Sequence, residues 1–279
     1  MKKIKVYYAK VANMGDILNR DIIENLFGYE VKRTNYLLGK ISGIGSGLGN
    51  YTLEGPTWKK MLKRLSNIIS PEVNIWGTGF VSYKEDDEPL YKSKTKFCAV
   101  RGELSKKRIE KLTGKDMKNL PLGDAGILAE CLLQGEKIEK KYNVGIIAHY
   151  KEKDEPIFKK LYSKFENATI IDVQDTPYNV TKKIAECKTI ISSSLHGLII
   201  ADSLRVPNIH IVVTNNLLGD GFKFDDYYSA YGIKHEFKDM NKEEINSIEE
   251  IVKDYRITDE MVANKKTIML NAFPYSKNG

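Results

Sequence analysis

Ser192-Ser193-Ser194-Leu195-His196-Gly197 stands between a β-branched apolar run and a segment with helical spacing. Hydroxyls and backbone N–H groups gathered at a helix start suit an anion, phosphate above all. His196 adds a group that titrates near neutrality. A second imidazole, His149, closes the apolar run 142–148. Arg101 closes another run, 97–100, where a guanidinium can grip a carboxylate bidentately or pair with a neighbouring acid. An anion-suited helix start, a guanidinium and two imidazoles from distant parts of the chain are candidates for one site that binds an anion and moves protons. Taken singly, serines before a helix are ordinary N-caps, and a histidine there is an ordinary surface residue. His149, His196, His210 and His235 have no metal-ligand spacing and there is no Asp-x-Asp, so the site is expected to work without a metal or cofactor.

The elements that would position these residues are strands followed by helices. Thr189–Ser193 reads as a strand, Leu195–Leu204 as a helix stopped before Pro207, and Asn208–Val213 as a second strand. Such a unit is a right-handed crossover in a parallel sheet, with ligands at the carboxyl end of its first strand. Other segments end on the same kind of edge. Strand 3–9 runs into Asn13-Met14-Gly15-Asp16, with Asp16 placed to cap a helix over 17–27. Gly39–Gly49 is glycine-rich and offers Gly45 and Ser46, but it lacks the third glycine of a dinucleotide fingerprint and the Gly-Lys-Ser/Thr of a P-loop. Residues 56–69 read as an amphipathic helix. Strand 73–80 closes on Gly77-Thr78-Gly79, and strand 97–102 leads into helix 103–112 with Ser105 in its first turn. The polar stretch 135–141 is the best boundary, after which strand, turn and helix begin again. Amphipathic helices are predicted over 241–254 and 258–272. The fold class is therefore α/β. Two Rossmann-like parallel-sheet domains, 1–137 and 138–240, face a cleft, and C-terminal helices (241–279) pack across or onto them.

The 279 residues, 42% hydrophobic and 29% charged, describe an ordinary globular protein. Three widely spaced cysteines give no disulfide or zinc pattern, and the basic start MKKIKVYYAK has no apolar signal core, so a cytoplasmic protein is expected. The net charge is +7, but 44 basic residues are interleaved with 37 acidic ones and no nucleic-acid motif is present. An anionic small substrate, or the anionic inner face of a membrane, suits that surplus at least as well as nucleic acid, and a plain Lys-rich soluble surface accounts for it too.

Taken together, Asn13-x-Gly-Asp16, Gly77-x-Gly79, Arg101-Gly-x-x-Ser105, Gly123-Asp124, His149 at a strand end and IISSSLHGLIIADSLRVPNI (190–209) resemble the polysaccharide pyruvyl transferase family over most of the chain. The resemblance implies a GT-B-like pair of domains. It also implies transfer of pyruvate from phosphoenolpyruvate to two hydroxyls of a sugar, giving a cyclic ketal on an exopolysaccharide or capsule glycan. Carried over by position, Arg101 matches an arginine implicated in donor binding, His196 the histidine of the family's Leu-His pair, and His149 a histidine near the acceptor. Relatives carry Arg-Leu-His where this chain has Ser194-Leu195-His196. Phosphate then falls to the serines and the helix end, or to another cation such as Lys223, or the donor differs. The expected site therefore comprises Arg101, His149 and His196, with Asn13, Gly15, Asp16, Gly45, Ser46, Gly77, Gly79, Ser105, Ser192, Ser193, Ser194, Leu195, Gly197 and Lys223 around the substrates. The acceptor would be a glycan or lipid-linked sugar, with peripheral association at the inner membrane face as a corollary. A GT-B glycosyltransferase or sugar-nucleotide enzyme, and a non-catalytic scaffold of glycan assembly, remain open on the residues alone.

Overall fold

A computed structural model describes residues 2–9, 14–84, 88–214 and 220–275. Alternation in KIKVY puts Ile4 and Val6 on the buried side of β1 (Lys3–Tyr7). Helix α1 (Met14–Phe27) buries Met14, Leu18, Ile22 and Ile23, which recur at helical spacing. There follow β2 (Glu30–Thr34), β3 (Ile41–Ser42), α2 (Thr57–Ile69), β4 (Val73–Trp76), β5 (Thr95–Ala99) and α3 (Glu103–Thr113). The five strands form one parallel sheet in the order β2-β1-β3-β4-β5.

The second half repeats the scheme with β6 (Tyr142–Ile147), α4 (Pro156–Lys164), β7 (Ala168–Ile170), α5 (Pro177–Ala185), β8 (Cys187–Ser192), α6 (Leu195–Ser203), β9 (Asn208–Val212), α7 (Phe222–Ser229) and β10 (Lys238–Asp239). Its parallel order is β10-β9-β8-β6-β7. Counted from its own first strand this is the order of the first sheet read from the other edge. Each sheet therefore reverses direction between its first and third strands, and the crevice beyond that point is where doubly wound sheets take ligands. In the first sheet the switch lies between β1 and β3. In the second it lies between β6 and β8.

The halves share a core. A 3-10 segment, Ala125–Leu133, packs between α1, α5 and α6, and one buried cluster includes Leu18, Ile22, Leu128, Val180, Leu198 and Ile199. The chain closes with α8 (Ile248–Asp254) and α9 (Asp259–Asn271). Helix α9 returns to the first half: Trp76 Nε1 donates to the Met269 carbonyl at 2.9 Å, and Phe273 just beyond stacks on Phe27 at 3.6 Å.

Several element bounds differ from the sequence reading. Helix α1 begins at Met14, so Asp16 sits inside its first turn and is not the cap. The helix expected over 241–254 covers only Ile248–Asp254, because Ser247 accepts from Glu250 N and starts the helix there. Helix α7 and the short β10 have no counterpart in that reading. Asn13 lies outside the described residues. Helix α2 forms where expected but buries none of its side chains.

One buried ion pair also ties the halves. Arg101, just past β5, donates from Nε to Asp226 Oδ2 of α7 at 2.9 Å, and both side chains are 0% exposed. Asp226 also accepts from Ser105 N at 2.8 Å and Ser105 Oγ at 2.6 Å. A Cβ on Gly102 would overlap the Asp226 carbonyl, so glycine is needed for α7 to come this close. Removing one member of such a pair strands the other in the interior. Asp226→Ala should therefore cost about 3–5 kcal/mol in urea unfolding. A loss below about 1 kcal/mol, the range of exposed pairs, would mean the pair is not the tether described.

Candidate functional site

The two switch points open on one cavity of about 220 Å3. Asp16, Gly45, Ser46 and Val81 line it from the first half. His149, Tyr150, Lys151, Ser194, Leu195, His196 and Lys223 line it from the second. Segments far apart in sequence meet here because each follows the carboxyl end of a parallel strand, or lies on α7, which Asp226 holds against the first sheet.

The wall from the second half begins with β8. Ser192 Oγ donates to the Ser194 carbonyl and accepts from Ser194 N, both at 3.0 Å, so this hydroxyl shapes the turn. Ser193 Oγ accepts from His149 N at 2.9 Å and thereby joins the ends of β6 and β8. Of the three serines only Ser194 lines the cavity, and its side chain does not cap α6. The first intrahelical bond of α6 is Leu198 N to the Ser194 carbonyl at 3.2 Å. The amides of Leu195, His196 and Gly197 thus have no acceptor within the helix, and they form a positive end at the cavity. A Cβ on Gly197 would crowd Ser192 Oγ and Ile147, so this glycine lets α6 sit tight on the sheet.

His196 packs its ring on the backbone of Gly15, where any Cβ would overlap the imidazole. Gly15 is therefore a contact surface for His196 between the halves. His196 Nε2 is buried with no hydrogen-bond partner among the described residues. Burial, reinforced by Lys223, Arg101 and His149, holds its pKa down at about 3. His149 is likewise lowered to about 4 by burial and by Lys223 and Lys151. Its Nδ1 accepts from Lys151 N at 3.3 Å, which leaves the neutral ring's proton on Nε2. Burial also brings Lys223 down to about 8, and it raises Asp16 to about 6 despite a hydrogen bond from the Ala9 backbone. The cavity thus holds neutral imidazoles, a carboxyl that gains and loses its proton near neutrality, and a helix end with Lys223 for an anion.

Arg101 does not line the cavity. Besides Asp226 it donates from Nη1 to Ser46 Oγ at 2.8 Å and the Gly45 carbonyl at 3.4 Å, and from Nη2 to the Phe80 carbonyl at 2.6 Å. Of the two roles open in sequence, the ion pair with a neighbouring acid is the one built. The guanidinium holds the loop of Gly45 (φ +108°) and Ser46 from behind. Ser105, Gly77 and Gly79 also stand behind the wall. Ser105 binds Asp226 and accepts from Phe80 N at 3.1 Å, a Cβ on Gly79 would strike Arg101 and Asp226, and Gly77 (φ +93°) lies against Ala125 N. Sequence reasoning misses Tyr150 and Lys151 although they directly follow His149, and it misses Asp226 because nothing in FDDYY marks one aspartate over the other. It misses Glu152 too. That residue is buried, accepts from Thr214 N and Oγ1 through Oε1, and leaves Oε2 without a partner among the described residues. Among those residues no group of three or more His, Cys, Asp or Glu could hold a metal ion, and no helix is long and apolar enough to cross a membrane.

These shifts oppose one another in bulk stability. Between about pH 4 and 6.5 the depressed histidines take up fewer protons folded than unfolded, so they favour unfolding as pH falls. Over 3.8 to about 6 the raised Asp16 binds more protons when folded and favours folding as pH falls. Site-resolved NMR titration separates them. His149 and His196 should remain neutral down to pH 5, with His149 as the Nε2–H tautomer, and a midpoint near 6.5 for either would contradict the geometry.

Residues 16–215 match the family described as Polysaccharide pyruvyl transferase. An uncharacterised protein of Acanthamoeba polyphaga mimivirus is 39% identical over 127 residues, which span 44% of this chain and 44% of that relative's length. In fold, a candidate UDP-N-acetylglucosamine 2-epimerase from Listeria monocytogenes aligns with all of this chain and 93% of its own, at TM-score 0.51 and 10% identity. A functionally uncharacterised protein from Klebsiella pneumoniae aligns at TM-score 0.44 and 17% identity over 83% of this chain and 88% of its own. The two parallel sheets facing one cleft are a GT-B-like architecture, and the match that runs from Asp16 past the serine–histidine turn places the chain in the polysaccharide pyruvyl transferase family.

Proposed function

We propose that this chain transfers the pyruvyl group of phosphoenolpyruvate to two hydroxyls of a glycan sugar, forming a cyclic ketal, with glycan biosynthesis as its setting. The observation that carries this reading is the convergence of both switch points on one cavity that pairs an anion-suited helix end with proton-transfer groups. The phosphate sits at the amides of Leu195, His196 and Gly197 with Lys223 beside them, which supplies the cation that Ser194 does not. Lys151 is the second cation lining the cavity and takes the carboxylate. Arg101 positions Ser46 and α7 and touches neither group.

The chemistry needs one proton delivered to carbon and two removed from oxygen. Asp16, with its pKa near 6, is protonated often enough near neutrality to supply the methylene carbon of the donor, making C2 electrophilic. One sugar hydroxyl adds at C2 and loses its proton. The second hydroxyl then attacks C2, the C2–O bond to phosphate breaks, and the ring closes as the second hydroxyl proton leaves. His149 donates from Nε2 to orient the acceptor. His196 starts neutral and can accept a proton once an anionic donor stands beside it, because a nearby negative charge favours imidazolium.

The assay is release of inorganic phosphate from phosphoenolpyruvate with glycosyl acceptors, joined to a product heavier than the acceptor by pyruvate less water. Asp16→Asn should lower kcat by roughly 10²–10⁴-fold and leave donor affinity near wild type. Lys223→Met should act the other way, weakening donor binding roughly tenfold or more, and wild-type affinity itself should fall as pH rises through about 8. Release of nucleotide from a sugar nucleotide, with no phosphate from phosphoenolpyruvate and any acceptor, would overturn the reading.

A further inference from the structure

Helix α2 is turned around relative to a crossover helix of a parallel sheet. Such helices press an apolar stripe on the sheet and leave polar residues in water. Here the polar stripe faces the protein. Lys63 Nζ donates to the carbonyls of Thr52 and Glu54 at 2.8 and 3.0 Å, Asn67 exchanges hydrogen bonds with Ser93, and Lys60 pairs with Glu88. Trp58, Met61, Leu62, Leu65, Ile68 and Ile69 face solvent, from 53% exposed at Leu62 to 82% at Ile69. At about 100° per residue these six fall within an arc of roughly 120°, opposite Lys60, Lys63 and Asn67. Lys59 and Arg64 lie on either side of the arc, both exposed, and α2 contains no acidic residue.

We propose that α2 docks this protein on an anionic lipid bilayer, lying in the plane of the surface with its apolar arc among the acyl chains. Thirteen residues make a helix of about 20 Å, too short to span a bilayer. A continuous apolar arc with a terminal tryptophan and cations on both borders suits the interface between headgroups and acyl chains. Charge selects the occupant. A second copy of the chain would set Lys59 and Arg64 against the same residues, whereas anionic headgroups neutralise them. Docking through α2 does not depend on the proposed reaction.

Trp58 is a built-in probe, because the other tryptophan, Trp76, is fully buried. The full chain is mixed with vesicles of phosphatidylcholine alone, or of equimolar phosphatidylglycerol and phosphatidylcholine. Co-sedimentation and tryptophan emission are then read. Binding to the anionic vesicles with a blue shift is expected, weaker by roughly ten- to thirtyfold on phosphatidylcholine alone. The double variant Leu65→Glu with Ile68→Glu should lose at least about tenfold in binding while keeping its thermal midpoint, since both side chains are already in water. Trp58→Phe should still sediment but give no emission shift. Failure of the wild type to bind anionic vesicles, or wild-type binding by the double variant, would overturn the proposal. So would a concentration-dependent dimer that the double variant abolishes, with no vesicle binding, since the face would then belong to a second copy.

Discussion

A guanidinium with no access to water must find its partners inside the protein, and Arg101 finds them on both sides of the cleft. Asp226 of α7 takes Nε, and the carbonyls of Phe80 and Gly45 and the hydroxyl of Ser46 take the rest. The cost of leaving a buried charge uncompensated makes this arrangement all-or-none. It fixes the Gly45–Ser46 loop on one wall, and by seating α7 it fixes Lys223 on the other. The cavity is therefore as rigid as this pair. Ser105, Gly79 and Gly102 serve the pair, two by fitting around it and one by bonding to Asp226.

Around that fixed point the fold uses one scheme twice. Two sheets of the same strand order present their reversal crevices to each other, and the shared core of α1, α5, α6 and the 3-10 segment sets the distance between them. The close seat of His196 on Gly15 belongs to that packing, with one residue from each half's switch in direct contact. Burial then sets the protonation states. The same desolvation that holds the two imidazoles neutral keeps Asp16 half-protonated near pH 6 and brings Lys223 toward neutrality, so a bound anion changes the charge of the whole site.

Much of this is legible in the chain. β-branched runs followed by helical spacing mark strand ends, and the strand ends point to Asp16, Gly45, Ser46, His149, Ser194 and His196 from residue order alone. What a strand-end residue faces is not legible. Arg101, Ser105, Gly77 and Gly79 occur at the right edge but stand behind the wall, because sequence position does not tell a ligand-facing guanidinium from one with a buried acid 125 residues away. Ser192 and Ser193 are bonded to their own turn and to the neighbouring strand for the same reason. Helix α2 shows a further limit. Its periodicity predicts an amphipathic helix correctly, but a periodicity has no sign, and it takes the inward hydrogen bonds of Lys63 and Asn67 and the exposure of the apolar residues to reveal that the apolar face looks outward.

The proposed reaction depends on the donor's phosphate resting on the α6 amino end and Lys223 while Arg101 stays paired behind the wall. A crystal structure of the protein with phosphoenolpyruvate tests it most directly. Phosphate is expected within hydrogen-bonding reach of the His196 and Gly197 amides and of Lys223 Nζ, with the Arg101–Asp226 pair unbroken. Phosphoenolpyruvate held by Arg101 with Asp226 displaced, or bound away from α6, would contradict it.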